Sequence, residues 1–162
     1  MIILVSDTSI LIDLERGGLL ETVFSAGLVL VVPDLLYERE LKDDFGPYLR
    51  QLGLGVVSLT PDEMSFAQQV KNDRPGLSLP DCFALSCASR PDHVLMTGDG
   101  LLRKEATARL GGVFGVLWLL DELFSLGKTS PTLLVEGLTK ISQHPRTRLP
   151  SDEVRKRLKV WK

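Results

Sequence analysis

A chain of 162 residues fits one domain; with 44% hydrophobic and 25% charged residues it is neither disordered nor collagen-like. Its two cysteines, Cys82 and Cys87, are too few for a disulfide scaffold and wrongly spaced for zinc, so they read as small buried hydrophobes of a reducing compartment. The formal net charge of −2 is uneven: residues 145–162 hold Arg146, Arg148, Arg155, Lys156, Arg157, Lys159 and Lys162 against Asp152 and Glu153, a local +5 on a body of −7.

In chain order, short apolar runs alternate with helical patterns. Ile2–Val5, Leu28–Val32, Val56–Leu59, Val94–Met96 and Val113–Val116 are unbroken and rich in β-branched residues, as strands buried on both faces should be. The first helical stretch, Thr8 to Phe24, carries Gly17-Gly18 and is expected to break there. A second runs from Asp34 to about Leu41. Thr60-Pro61-Asp62-Glu63 is a capping box that starts a helix toward Lys71. Further helices are expected over Leu79–Ser89, Gly100–Leu110, Trp118–Leu126, Pro131–Ile141 and from Ser151 onward, the last after the proline-containing stretch Gln143–Pro150. Strand alternating with helix predicts an α/β fold, a parallel sheet with right-handed crossovers and helices on both faces. Ala26–Val32 and Val113–Leu120 fall far short of the roughly 18 apolar residues of a membrane span. The opening Met-Ile-Ile-Leu-Val lacks the flanks of a signal peptide, so a soluble cytoplasmic protein is expected.

Ligands of an open parallel sheet bind outside the carboxyl ends of its strands. Strand one ends Ser6-Asp7-Thr8-Ser9 and strand four ends Thr97-Gly98-Asp99. Asp81 lies in the first turn of the helix before strand four, and Glu38 about one turn into the helix after strand two. Four carboxylates converging at one edge repel and raise their own pKa values unless a cation is present. A hard ion such as Mg²⁺ or Mn²⁺, which takes oxygen ligands and keeps several waters, suits them; His93 and His144 stand elsewhere. Each acid also has an ordinary structural role open to it. Asp7 and Asp99 serve as helix N-caps, Asp81 closes a box with Ser78, and Glu38 pairs with Lys42 at i,i+4.

At these residues the chain resembles the PIN-domain ribonucleases. Four blocks carry the resemblance, in order: Asp7-Thr8-Ser9 after the first strand, Val32-Pro33-Asp34-Leu35-Leu36-Tyr37-Glu38, Leu79-Pro80-Asp81-Cys82-Phe83-Ala84-Leu85, and Leu95-Met96-Thr97-Gly98-Asp99. Leu101-Leu102-Arg103 and Gly115–Leu120 look like a prokaryotic subgroup that includes VapC-type toxins, and the similarity covers about residues 1–127. Residues 128–162 then form a helical extension with a basic tail. The resemblance implies a three-layer α/β/α fold with parallel strand order 3-2-1-4-5 and metal-dependent cleavage of RNA, often by the toxin of a toxin–antitoxin pair. It assigns Asp7, Glu38, Asp81 and Asp99 to one or two Mg²⁺ or Mn²⁺ ions, with Ser9 and Thr97 as supporting hydroxyls. Glu40 is the alternative second acid: on an α-helix it points about 200° away from Glu38, so only one of them faces the site. An antitoxin protein and a homodimer are the partners the resemblance suggests beyond RNA.

Other classes fit less well. A haloacid-dehalogenase phosphatase needs a second Asp where Ser9 stands, a receiver domain needs its acceptor on strand three, and no Gly-x-Gly-x-x-Gly follows a strand. The remaining rival is a PIN fold that binds RNA or protein with little turnover. In the C-terminal segment Val154, Leu158 and Trp161 form an apolar stripe expected to pack on the chain's own body, with the basic residues either solvated or touching phosphate.

Overall fold

The computed structural model describes residues 2–147 and 149–162; Met1 and Arg148, the latter counted above in the basic tail, lie outside the described residues. Five strands, β1 (Ile3–Ser6), β2 (Val29–Pro33), β3 (Gly55–Val57), β4 (His93–Met96) and β5 (Val113–Phe114), form one all-parallel sheet in the order β3-β2-β1-β4-β5. This is the expected order 3-2-1-4-5. The central strand β1 pairs on both sides and buries Leu4 and Val5 almost completely.

Ten helices surround the sheet among the described residues: α1 (Thr8–Arg16), α2 (Leu20–Ser25), α3 (Asp34–Leu36, continued by a π-helical turn over Tyr37–Leu41), α4 (Gly46–Leu52), α5 (Pro61–Asp73), α6 (Leu79–Ala88), α7 (Gly100–Leu110), α8 (Val116–Leu126), α9 (Pro131–Gln143) and α10 (Ser151–Trp161). They cover both faces of the sheet, with α6 lying across β1, β2 and β4 and backed by α5, while α1 packs with α8 and α9. None is long and apolar enough to cross a membrane among the described residues.

The helix starts come from local chemistry. Thr60 accepts from Glu63 N–H at 3.1 Å while the Glu63 carboxylate accepts from Thr60 N–H at 2.8 Å, the expected capping box of α5. The break at Gly17-Gly18 has two physical causes. Gly18 adopts φ +66°, and a Cβ on Gly17 would stand 2.9 Å from the Ile141 side chain of α9. Gly137 of α9 faces it, with its own Cβ position 2.5 Å from Leu19 Cδ1, so paired glycines let the end of α1 and α9 approach closely.

Several elements differ from expectation: β3 ends at Val57 and not at Leu59, where Pro61 and the Thr60 cap already commit the chain to α5, and α8 starts two residues before Trp118. Val116 does not end β5; Gly115 breaks the strand in an extended conformation and α8 begins at Val116. Helix α4, which the apolar periodicity does not announce, is started by Pro47 in its first turn and stopped by Gly53 at φ +124°.

The C-terminal stripe packs on the chain itself. Val154 and Trp161 are buried, and Trp161 stacks on Phe124 of α8 with ring centroids 5.8 Å apart. Arg157 donates both arms of its guanidinium to Asp121 at 2.9 and 2.8 Å, locking α10 to α8. Truncating Trp161 removes the largest buried group of α10. Trp161→Ala is therefore expected to lower the unfolding free energy by about 3 kcal/mol. The check is a urea titration with a lower midpoint and an unchanged slope.

Candidate active site at the carboxyl ends of β1 and β4

The register of β1 and β4 pairs Ser6 with Met96. The residues one step beyond, Asp7 and Thr97, therefore leave the sheet side by side. Asp7 is 2% exposed and caps α1, accepting from Ile10 N–H at 3.1 Å. The same oxygen accepts from the Ser9 hydroxyl at 2.7 Å, and the other accepts a short hydrogen bond from Thr97 Oγ1. Both hydroxyls work twice: Ser9 accepts from Gly98 N–H at 3.1 Å, and Thr97 accepts from Asp99 N–H at 2.9 Å. The two strand ends are thus stitched together through one buried carboxylate. Ser9 and Thr97 both stand in contact with Asp7, where the sequence reading placed supporting hydroxyls.

Asp99 caps α7 and accepts from Leu102 N–H at 2.8 Å. Asp81 sits one turn into α6, whose cap is Ser78, accepting from Asp81 N–H at 3.2 Å. Burial pushes the Asp81 carboxyl up to about 6, reinforced by the charges of Asp7, Asp99 and Glu40 and opposed by the Ser78 hydroxyl. Asp7 is also raised, first by burial and last by Asp99, against the lowering effect of its three hydrogen bonds. Both the capping roles and the mutual repulsion weighed in the sequence are therefore present in the same residues.

Of the two glutamates, the structure brings Glu40 to this edge and not Glu38. Glu40 accepts from the Thr8 hydroxyl at 2.6 Å, and its charge reaches Asp81. Glu38 turns outward, 3.1 Å from Lys42 Nζ, with 55% of its side chain exposed. The physical reason is the π-helical turn, in which Lys42 N–H donates to Tyr37 O at 2.9 Å, one residue further back than in an α-helix. That extra residue changes which side chain faces the edge.

The four acids do not close on one point: among the described residues no three His, Cys, Asp or Glu side chains are gathered tightly enough to hold a metal ion unaided. The convergence expected from sequence is looser than that. The donor chemistry still suits a hard cation, since every group is a carboxylate or hydroxyl oxygen and the charge of Asp99 raises both Asp7 and Asp81.

Thr8 and Asp13 escape a motif-based reading. Ser9, Asp13 and Arg16 fall at i, i+4, i+7 of α1, a spacing that places them on one helix face beside Asp7. Asp13 is pushed up to about 6, chiefly by burial, against the nearby Arg16.

A raised carboxyl binds more protons folded than unfolded between its ordinary value and its folded one. Stability is then lost as pH rises through that window. For Asp13 and Asp81 the window runs from 3.8 to about 6. The metal-free chain is accordingly expected to melt at lower temperature at pH 7 than near pH 4.5. Asp81→Asn should stabilise it at pH 7 by on the order of 1 kcal/mol, after allowance for solvent screening. Thermal melts across pH in chelator check both.

A family model described as a PIN domain matches residues 3–162, extending past residues 1–127 on which the sequence resemblance rests. No curated protein and no solved structure matches the chain. PIN domains are generally nucleases. The parallel order β3-β2-β1-β4-β5, with an acidic edge at the ends of β1 and β4, is consistent with that fold. With a match that runs nearly end to end, the chain belongs to the PIN-domain family.

Proposed function

We propose that this chain is a metal-dependent endoribonuclease that hydrolyses RNA phosphodiester bonds, with Asp7, Glu40, Asp81 and Asp99 as its metal-holding acids. The observation that carries the reading is the shared field at the strand ends, where Asp7, Asp99 and Glu40 all act on the Asp81 carboxyl. A fold gains no stability from holding like charges together, and a divalent cation turns that repulsion into binding.

When bound, such an ion supplies Lewis acidity toward a phosphoryl oxygen and makes water a competent nucleophile near neutral pH. The chain's own residues do the rest. Thr97 and Ser9 fix Asp7 in one orientation, and the Thr8 hydroxyl holds Glu40 at the edge. Asp81, in the first turn of α6 at the same edge, would hold the ion with one carboxylate oxygen and leave the other to accept the proton of an attacking water. Hydrolysis by water leaves a 3′-hydroxyl and a 5′-phosphate, so products ending in a 2′,3′-cyclic phosphate would overturn this chemistry.

The biological setting suggested by the resemblance to VapC-type toxins is a toxin–antitoxin pair acting in the cytoplasm, with an antitoxin protein and a homodimer as partners. A second reading, a PIN fold that binds without turnover, is favoured by the absence of a closed group of three acids among the described residues.

Total cellular RNA incubated with the chain and Mn²⁺ or Mg²⁺ is expected to give discrete fragments, abolished by chelator and reduced at least about a hundredfold by Asp7→Asn. Asn still caps α1, so the Asp7→Asn fold is kept. In cells, induction of the wild-type chain should arrest growth and Asp7→Asn should not. Absence of cleavage with either metal would leave the binding reading standing.

The glutamate pair supplies a sharper comparison. Glu40→Gln is expected to lower kcat by about tenfold or more, because it weakens a ligand to the catalytic ion. Glu38→Gln should leave kcat and KM within about twofold, since that side chain only pairs with an exposed lysine. Rate measurements on one short RNA substrate decide between them, and the opposite pattern would restore Glu38 as the second acid.

A further inference from the structure

Two cavities flank Gly98, the residue that joins Thr97 to Asp99. The larger, about 520 Å³, is lined by Phe114, Trp118, Arg103, Asp13 and Thr97 among others. The smaller, about 300 Å³, is lined by Arg16, Arg146, Ser9 and Asp13. They share Asp13, Gly98 and Leu149, so they form one groove that passes directly beside the acidic edge. The two halves differ in chemistry. One offers two arginines; the other offers an aromatic pair, Phe114 and Trp118, stacked with centroids 4.5 Å apart, next to a third arginine.

Arg103 is held there by construction. Its Nη2 donates to Thr97 O at 3.2 Å, and a Cβ on Gly115 would stand 2.7 Å from that nitrogen. A glycine therefore keeps the space into which the guanidinium folds. Arg16 lies 3.9 Å from Asp13, and Arg146 is exposed.

We propose that this groove seats the single-stranded RNA that flanks the scissile phosphate, with one unstacked base in the cavity of Phe114, Trp118 and Arg103 and the adjoining phosphate between Arg16 and Arg146. The proposal rests on the ribonuclease reading above and adds to it the residues that seat the flanking nucleotide. Alternation of a cationic recess with an aromatic one matches the alternation of phosphate and base along a nucleotide chain. A base reaches an aromatic recess of this kind only when it is turned out of a stack, which disfavours continuous duplex and favours loops, bulges and ends. Asp13 lines both halves, so its carboxylate is available as an acceptor where they meet.

The test uses the whole chain in chelator, so that binding is read without cleavage. An eight-nucleotide single-stranded RNA, the same RNA annealed to its complement, and the same RNA with one abasic position are titrated while tryptophan emission is followed. The chain has two tryptophans, and Trp161 is buried under Phe124, so it serves as an internal reference. Single strands are expected to quench the wild-type chain and Trp161→Phe, but not Trp118→Leu, while duplex binds at least about tenfold more weakly. Trp118→Leu should weaken binding by about five- to twentyfold, Trp118→Phe should recover most of it, and Arg16→Ala or Arg146→Ala should each reduce the salt slope by about one. Gly115→Ala, which displaces Arg103 and leaves the acids alone, should weaken binding severalfold.

With Mn²⁺ present, Trp118→Leu should raise KM and keep kcat. Cleavage with an unchanged KM in Trp118→Leu and no quenching overturns the groove while the ribonuclease reading stands. Quenching and tight single-strand binding without cleavage in either metal leave the groove standing and overturn the ribonuclease reading. Equal affinity for duplex and single strand, or quenching by an apolar peptide and not by RNA, overturns the groove.

Discussion

The buried carboxylate of Asp7 is the interaction on which the rest of the site depends. A carboxylate stripped of water at the end of a central strand is unfavourable unless its lone pairs are met. Here a helix N–H and two hydroxyls from two different chain segments meet them. Each hydroxyl then anchors a backbone N–H of the loop after β4. One ionisable group thus sets the direction of α1, the path of the Thr97–Asp99 loop and the separation of β1 and β4 at the working edge. Neutral substitutes keep the cap, but only the acid gives the edge its charge.

The stability of the chain and the charge of that edge pull in opposite directions. Glu63, held by Arg90 and the Thr60 cap, is lowered to about 2, as an acid placed for stability should be. Asp7, Asp13 and Asp81 are raised instead. Burial is the first cause of each rise, and these three acids lie at the edge where β1 and β4 end or on α1 beside it. The apolar body elsewhere compensates, from the almost fully buried strands to the Trp161 and Arg157 clasp of α10.

Much of this was legible in the sequence because the signals were local. Unbroken β-branched runs marked the strands, Thr60 to Glu63 marked a helix start, and Asp7 and Asp99 stood one and three residues past strands that run side by side. The resemblance to the PIN family then ordered the strands. What was not legible depended on hydrogen bonds that no spacing encodes. The resemblance assigns Glu38, which follows the Leu35-Leu36-Tyr37 block, whereas the π-helical turn presents Glu40. Helix α4 was hidden because its apolar face is short and its punctuation by Pro47 and Gly53 resembles that of a loop. The groove joins residues from α1, β5, α7 and the stretch before α10, which become neighbours only in the folded chain.

The widened turn at Tyr37–Leu41 makes this region sensitive to chain length in a way that the rest of the site is not. Loss of one residue between Pro33 and Leu41 would let the turn relax to ordinary α-helical spacing and redistribute the side chains inside it by about 100° per residue around the axis. The glutamate at the edge would swing toward solvent although no acid had been removed. In this segment the spacing between residues, as much as their identity, is the inherited information, and two sequences with the same acids but different turn lengths would have different sites.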